Sequence, residues 1–171
     1  FELSAELSAR VHECSRSAGV TPFVTLLATW SLLLNRYSGQ SDFGIGASVA
    51  GRDGPQWGRV IGFFLNMLTL RVRLDQDWTV RELLAHVAAV TKGAYAHQSL
   101  PIEWLIEQLN PPREPSRTPL FQSALTLQVP THEFEARMDA AGMRIIDLRP
   151  ARLASQFDTT LFLEETSQGF K

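Results

Sequence analysis

Apolar positions along this chain recur with two periods, one helical and one alternating, and the switches between them lay out its elements. Leu3, Leu7, Val11 and Cys14 stand at helical spacing and Gly19 follows them, which predicts an amphipathic first helix. A second helix is predicted over residues 22–37. Thr21 is a good N-cap, Pro22 suits the first helical position and Gly39 follows as a terminator. Apolar residues occupy nearly every side of this helix, so it is expected to be buried. From Asp42 to Gly51, Phe43, Ile45, Ala47 and Val49 alternate with small residues, the pattern of a strand whose other face is approached closely by backbone. "RDGPQWGR" then reads as a loop.

The stretch "IGFFLNMLTLR", residues 61–71, reads as a buried strand with an asparagine in its middle and an arginine at its end. It runs into "LTLRVRLD", where Leu68, Leu70, Val72 and Leu74 alternate with Thr69, Arg71 and Arg73. Arg71 is therefore expected on the face away from the core. Thr79 and Glu82 form a capping-box pair ahead of a helix reaching about His97, with Val80, Leu83, Leu84, Val87, Thr91, Ala94 and Tyr95 on one stripe. Pro101 opens a shorter helix, "PIEWLIEQL". The prolines at 111, 112, 115 and 119 then require an extended connection. "LFQSALTLQV", "MRIIDL" and "FDTTLFLEE" read as strands, separated by a weakly helical stretch from His132 to Gly142. Strands interspersed with helices without strict alternation predict an α/β architecture with a mixed sheet and packed helices.

Composition narrows the possible partners. The chain has 171 residues with 16 basic and 18 acidic side chains, a net charge of −2. That balance lacks the electrostatic footprint a phosphate backbone requires, so nucleic acid is not expected as a partner. The most apolar run, Phe23 to Leu34, is broken by Thr25, Thr29 and Ser31 and is too short to span a bilayer. A membrane partner is likewise not expected. One cysteine, Cys14, cannot close an internal disulfide, which fits a cytoplasmic setting. A first residue other than Met, and a last strand with no closing element, are read as signs of a single lobe truncated at both ends.

Candidate chemistry is sparse. Of the four histidines, His12, His86 and His132 lie on helical or loop positions flanked by charge. His97 differs, because it begins "HQSLP" where a helix stops at a proline and side chains are aimed toward a neighbouring layer; a capping role at the helix end fits it equally well. "GIGASVAG" lacks the spacing of a phosphate-binding glycine loop, and no His/Cys cluster has zinc spacing, so neither nucleotide nor metal is expected.

Four segments in order carry a specific resemblance. "TPFVTLLATWSLLLNRYSGQSDFGIGASVAGR" (21–52), "IGFFLNMLTLR" (61–71), "HQSLPIE" (97–103) and "REPSRTPLFQ" (113–122) resemble the carboxy-terminal half of condensation domains of nonribosomal peptide synthetases. The last three are similar to that family's motifs I-G-x-F-V-N-T-x-x-x-R, H-Q-D-x-P-F-E and R-D-x-S-R-N-P-L. Met67, Ser99, Ile102, Glu114 and Thr118 depart from those patterns, and after Val129 only "SQFDTTLFLE" is similar. The resemblance implies one lobe of a chloramphenicol-acetyltransferase-like (CoA-dependent acyltransferase) fold. In such a domain an upstream acyl or peptidyl thioester and a downstream aminoacyl thioester are joined through an amide bond. Both are delivered on phosphopantetheine arms of peptidyl carrier proteins. The implied partners are the amino-terminal lobe of the same domain and the upstream and downstream carriers. No cofactor is implied as bound by the chain itself. The family's HHxxxDG histidine lies in the other half and no "HH" pair occurs here, so no catalytic residue is assigned and the chain alone is expected to be inactive. A non-catalytic condensation-like platform that recruits a partner enzyme is the alternative. The isolated lobe is also expected to expose apolar surface and strand edges that favour self-association.

By the same resemblance Gly62, Phe63, Asn66, His97 and Gln98 are expected to line the substrate channel. For Asn66 two readings stand open: its amide orients an amide or pantetheine carbonyl, or it is satisfied by neighbouring backbone. Arg71 is expected to fork onto a carboxylate, Asp42 or Glu103, and tie layers together. Arg117 and Pro101 are expected to anchor loops.

Overall fold

The computed structural model describes residues 2–52, 54–112, 114–128, 142, 155–166 and 169–171. Among the described residues four helices, α1 (Ala5–Ala18), α2 (Pro22–Ser38), α3 (Val80–Ala96) and α4 (Ile102–Leu109), accompany five strands. The strands are β1 (Asp42–Val49), β2 (Asn66–Arg73), β3 (Ser123–Gln128), β4 (Thr159–Thr166) and β5 (Gly169–Phe170). They form one sheet in the order β2-β1-β3-β4-β5. β1 is antiparallel to β2 and parallel to β3, β3 is parallel to β4, and β4 is antiparallel to β5. This is the mixed sheet with packed helices that the sequence predicts. The strand expected from "MRIIDL" and the helical stretch before Gly142 lie outside the described residues.

Each helix begins and ends where its sequence satisfies free backbone groups. The Ser4 and Thr21 hydroxyls accept the Leu7 and Val24 N–H groups, and Gly19 and Gly39 close α1 and α2 in the left-handed conformation at φ +66° and +71°. Thr79 and Glu82 complete the capping box of α3, and the Thr79 hydroxyl and N–H both hold the Glu82 carboxyl below its usual pKa.

One sheet face carries the core. Ile45, Leu70, Val72 and Leu125 are fully buried there and meet Leu27 of α2 and Val87 of α3. Removing each of these large side chains from water contributes roughly 1.5–3 kcal/mol. Polar links fix how the helices sit. The indole N–H of Trp30 donates to the Ser123 hydroxyl at 3.0 Å, which lies 3.0 Å from the Thr159 hydroxyl, joining α2 to β3 and β4. Ser15 and Thr25 share a buried hydrogen bond of 2.7 Å between α1 and α2.

Three expectations change here. The buried stripe of α1 passes through Ser8 and Ser15 while Leu7 is exposed, because Ser8 meets Gly169 and the Phe170 N–H, and Ser15 meets Thr25. The first half of α2 is buried as expected, but Leu32 and Leu33 are exposed, since no other described element covers that side of its second half. The loop after β1 contains a 3-10 turn, Pro55–Arg59.

The opposite face of β1 is built for close approach. Gly44 and Gly46 sit where a side chain would meet the Leu120 carbonyl, 2.5 Å from the position a Cβ would take, and the Phe121 ring. Phe121 is buried against the strand, and α4 lies nearby, with Leu105 and Leu109 beside Gly44, Thr69 and Arg71. The glycine alternation therefore leaves room for the chain that follows α4. Substituting Gly46→Ala pushes a methyl into the Phe121 ring and is expected to destabilise the fold by about 1–3 kcal/mol, read as a lowered urea midpoint with unchanged slope.

Candidate functional site

Residues 61–65 do not extend β2. The strand starts at Asn66, and Ile61 and Phe63 are 103% and 88% exposed, so the buried-strand reading of this stretch is corrected. The apolar run is not core because no described element packs over it; the alternation that matters begins only at Leu68. Asn66 thus marks a corner, where the chain leaves an exposed loop and enters the sheet.

Its amide is committed in full. Nδ2 donates to the carbonyls of Gln98 at 2.9 Å and Leu100 at 2.7 Å, and Oδ1 accepts the Met67 N–H at 2.9 Å and the Ile102 N–H at 3.2 Å. Both donors and both lone pairs are used. Of the two readings of Asn66, satisfaction by neighbouring backbone is the one observed. The side chain latches the start of β2 to the α3–α4 corner, and Pro101, which lacks an N–H and disfavours helix before it, is the residue around which that corner turns into α4.

The corner faces a groove of ≈ 690 Å³. Trp57, Phe63, Phe64 and Leu65 line one side, while Asn66, Gln98, Ser99 and Pro101 lie at the latched corner with Glu103 beyond them. Phe63, Asn66 and Gln98 are thereby brought together. Gly62 and His97 are not among the lining residues. The Gly62 carbonyl accepts from Arg52, and His97 caps the end of α3 with an exposed side chain. Arg52, Trp57, Phe64 and Glu103 are the residues the sequence did not assign to this groove, because nothing local marks them as neighbours. Glu103 is the only ionisable side chain among the described lining residues, so the groove can hold and orient a polar chain but offers no histidine base among them. Among the described residues no cluster of His, Cys, Asp and Glu is arranged to hold a metal. No single helix among them is long and apolar enough to cross a membrane.

Arg71 forks onto Asp42, with both oxygens 2.8 Å from its nitrogens, and Arg73 adds a contact at 3.3 Å. The partner is Asp42 and not Glu103, and the pair ties neighbouring strands of one sheet and not separate layers, because the β1–β2 register sets Asp42 opposite Arg73 and Gly44 opposite Arg71. The hydrogen bond from Arg71 holds the Asp42 carboxyl below the usual carboxylate pKa, and Asp42 raises that of Arg71. Arg117 anchors its own loop locally, reaching Glu114 at 3.5 Å beside a smaller concavity of ≈ 470 Å³.

A family model described as Condensation domain matches residues 1–171. The chain is 42% identical over 172 residues to a linear gramicidin synthase protein of Brevibacillus parabrevis, an alignment covering 99% of this chain and 3% of that protein. Among solved structures, the condensation domain of the monacolin K polyketide synthase MokA gives a TM-score of 0.83 at 24% identity, covering 99% of this chain and 39% of that one. The X-domain in its complex with OxyB from teicoplanin biosynthesis gives 0.79 at 25% identity, covering 99% and 37%. The chain therefore spans a small stretch of its curated relatives and under two-fifths of these solved chains.

Two outcomes test the corner and the strand pair. Asn66→Asp sets a carboxylate oxygen against the Gln98 and Leu100 carbonyls and is expected to cost about 2–4 kcal/mol at pH 7 in urea unfolding. This new carboxyl has a raised folded pKa, so its penalty is present above that value and shrinks, relative to the parent chain, as pH falls through it. Asp42 behaves oppositely. Its depressed folded pKa contributes stability above the unfolded value that is lost as pH falls below about 4, and Asp42→Asn is expected to flatten that part of the stability profile.

Proposed function

The chain belongs to the condensation-domain family, and from that premise we propose that it forms the carboxy-terminal lobe of a domain that makes amide bonds in nonribosomal peptide synthesis. The observation that carries this reading is the family match running unbroken over residues 1–171. In the reaction the amine of an aminoacyl thioester attacks the carbonyl of an upstream thioester. The C–N bond forms, the C–S bond breaks, the amine loses a proton and the carrier's thiol is released. Both thioesters arrive on phosphopantetheine arms of carrier proteins, in the cytoplasm.

The groove suits a supporting part in this chemistry. A phosphopantetheine arm is a thin chain of amides and methylenes, and the groove offers it aromatic rings on one side and the Gln98 side of the latched corner on the other. Phe63, Asn66 and Gln98 serve as channel wall, with Asn66 acting through the shape it fixes. Gly62, whose carbonyl accepts from Arg52, and His97, at the end of α3, flank that wall and complete the channel lining in this reading. The group that handles the proton comes from the other lobe. Ile61 and Phe63 present the kind of exposed apolar surface that marks an interaction site, and the rest of the domain covers it in this reading.

A second reading keeps the fold without the chemistry. The likeness to an X-domain solved as a complex with OxyB favours a platform that recruits an enzyme, and Met67 and Ser99 are tolerated there.

Rejoined with the remainder of its domain and given two loaded carriers, the chain is expected to yield a dipeptidyl thioester on the downstream carrier, seen as a mass increase of that carrier. Absence of product with several cognate thioester pairs rejects the amide-forming reading. Retention of a separate enzyme by the same inactive domain in gel filtration then selects the platform.

A further inference from the structure

We infer that Arg52 is the positioning residue that holds the aromatic wall of the groove in place, a role that rests on reading the groove as the substrate channel. The wall has little else to hold it. Ile61 and Phe63 are almost fully exposed, and Trp57, Val60 and Leu65 are each more than 40% exposed, so hydrophobic packing does not fix this loop. Its own backbone supplies two short hydrogen bonds near the groove, Trp57 N–H to the Gly54 carbonyl at 3.1 Å and Val60 N–H to the Trp57 carbonyl at 3.2 Å.

Arg52 does the rest. Its Nη1 donates to the carbonyls of Trp57 and of Val60, the latter at 3.0 Å, and its Nη2 reaches the Gly62 carbonyl at 3.4 Å. The guanidinium lies 4.3 Å from the centroid of the Phe64 ring, a cation–π arrangement. The Trp57 and Phe64 rings are 5.8 Å apart, so Arg52 holds Phe64 by its ring and Trp57 by its backbone carbonyl on the same stretch of wall. Gly51 completes the fixture. Its φ of +61° suits glycine, and the Phe64 carbonyl occupies the place a Cβ would take, so the two ends of the loop meet at Gly51 and Arg52. Among the described residues the partners of its guanidinium hydrogen bonds are all carbonyl oxygens.

Only a planar fork performs all these tasks at once. A lysine ammonium at the end of a flexible stem keeps the charge but cannot span three carbonyls while lying flat on a ring. Arg52 supplies fork geometry together with charge, and lysine keeps only the charge.

The test is amide hydrogen exchange on the chain of 171 residues, comparing the parent with Arg52→Gln and Arg52→Lys. Exchange at Trp57 and Val60 is expected to speed by roughly tenfold or more in both variants, the scale of losing charge-assisted hydrogen bonds, while Leu83 and Val87 in α3 keep their rates. Unchanged rates at Trp57 and Val60 in Arg52→Gln overturn the inference. So does recovery of the parent rates in Arg52→Lys, or an equal acceleration in α3, which marks a general loss of stability. In the rejoined domain, Arg52→Gln is expected to raise KM for the carrier-bound thioester about tenfold with a smaller change in kcat. A loosened loop with unchanged KM breaks the link to the channel. Failure of the proposed reaction itself shows separately, as absence of product from the parent, and leaves the exchange measurement to decide the role of Arg52.

Discussion

The groove exists because one primary amide is used to saturation. Asn66 sits where the chain enters the sheet, and its four hydrogen bonds join three backbone segments: its own strand, the end of α3 and the start of α4. No other side chain of that size carries two donors and two acceptor lone pairs on so short a stem. Leucine fills the volume but leaves two carbonyls and two N–H groups without partners. Aspartate supplies the acceptors and opposes the carbonyls. The amide carries no charge to desolvate, so the latch works half-buried at the edge of a solvent groove without responding to pH. Everything on the loop side then takes its direction from this corner.

The corner needs a sheet that cannot slip. A shift of one residue between β1 and β2 would exchange the buried set, Ile45, Leu70 and Val72, with Gly44, Thr69 and Arg71. Three features oppose it. The glycines of β1 accept the Leu120 carbonyl and Phe121 ring at fixed places, the Arg71–Asp42 fork matches the observed pairing, and Ser48 lies 3.3 Å from Thr126 across to β3. The ion pair is exposed and contributes little energy by itself. Its part is to favour one alignment, while the burial on the helix face supplies the stabilisation.

How much of this was legible depends on whether the signal was local. Helix ends were readable because Thr21, Pro22, Gly39 and the Thr79–Glu82 pair act within a few residues of chain. The period-two run in β1 likewise announced both its buried face and the close approach at its glycines. Residues 61–65 misled because a hydrophobic run looks alike whether a neighbouring element covers it or not, and covering is a property of the fold. The face of α1 was misjudged by about one residue because Ser8 is buried through a partner 162 residues along and Ser15 through one 10 residues along. Arg52 was missed for the same reason. A single arginine after a strand says nothing until the loop returns and sets three carbonyls around it.

The arrangement also explains why so apolar a loop stands open. A hydrophobic strip is held open here between two polar fixtures: its backbone carbonyls accept from a guanidinium and its turn-in point is bound by an amide. Fixing such a strip before any partner arrives removes the ordering cost from the binding step, which is the general advantage of preorganisation. The ring wall, the uncharged latch and the lack of a histidine base among the described lining residues point the same way. In the proposed reading, this side of the groove holds a chain still and the group that moves a proton comes from the surface opposite it.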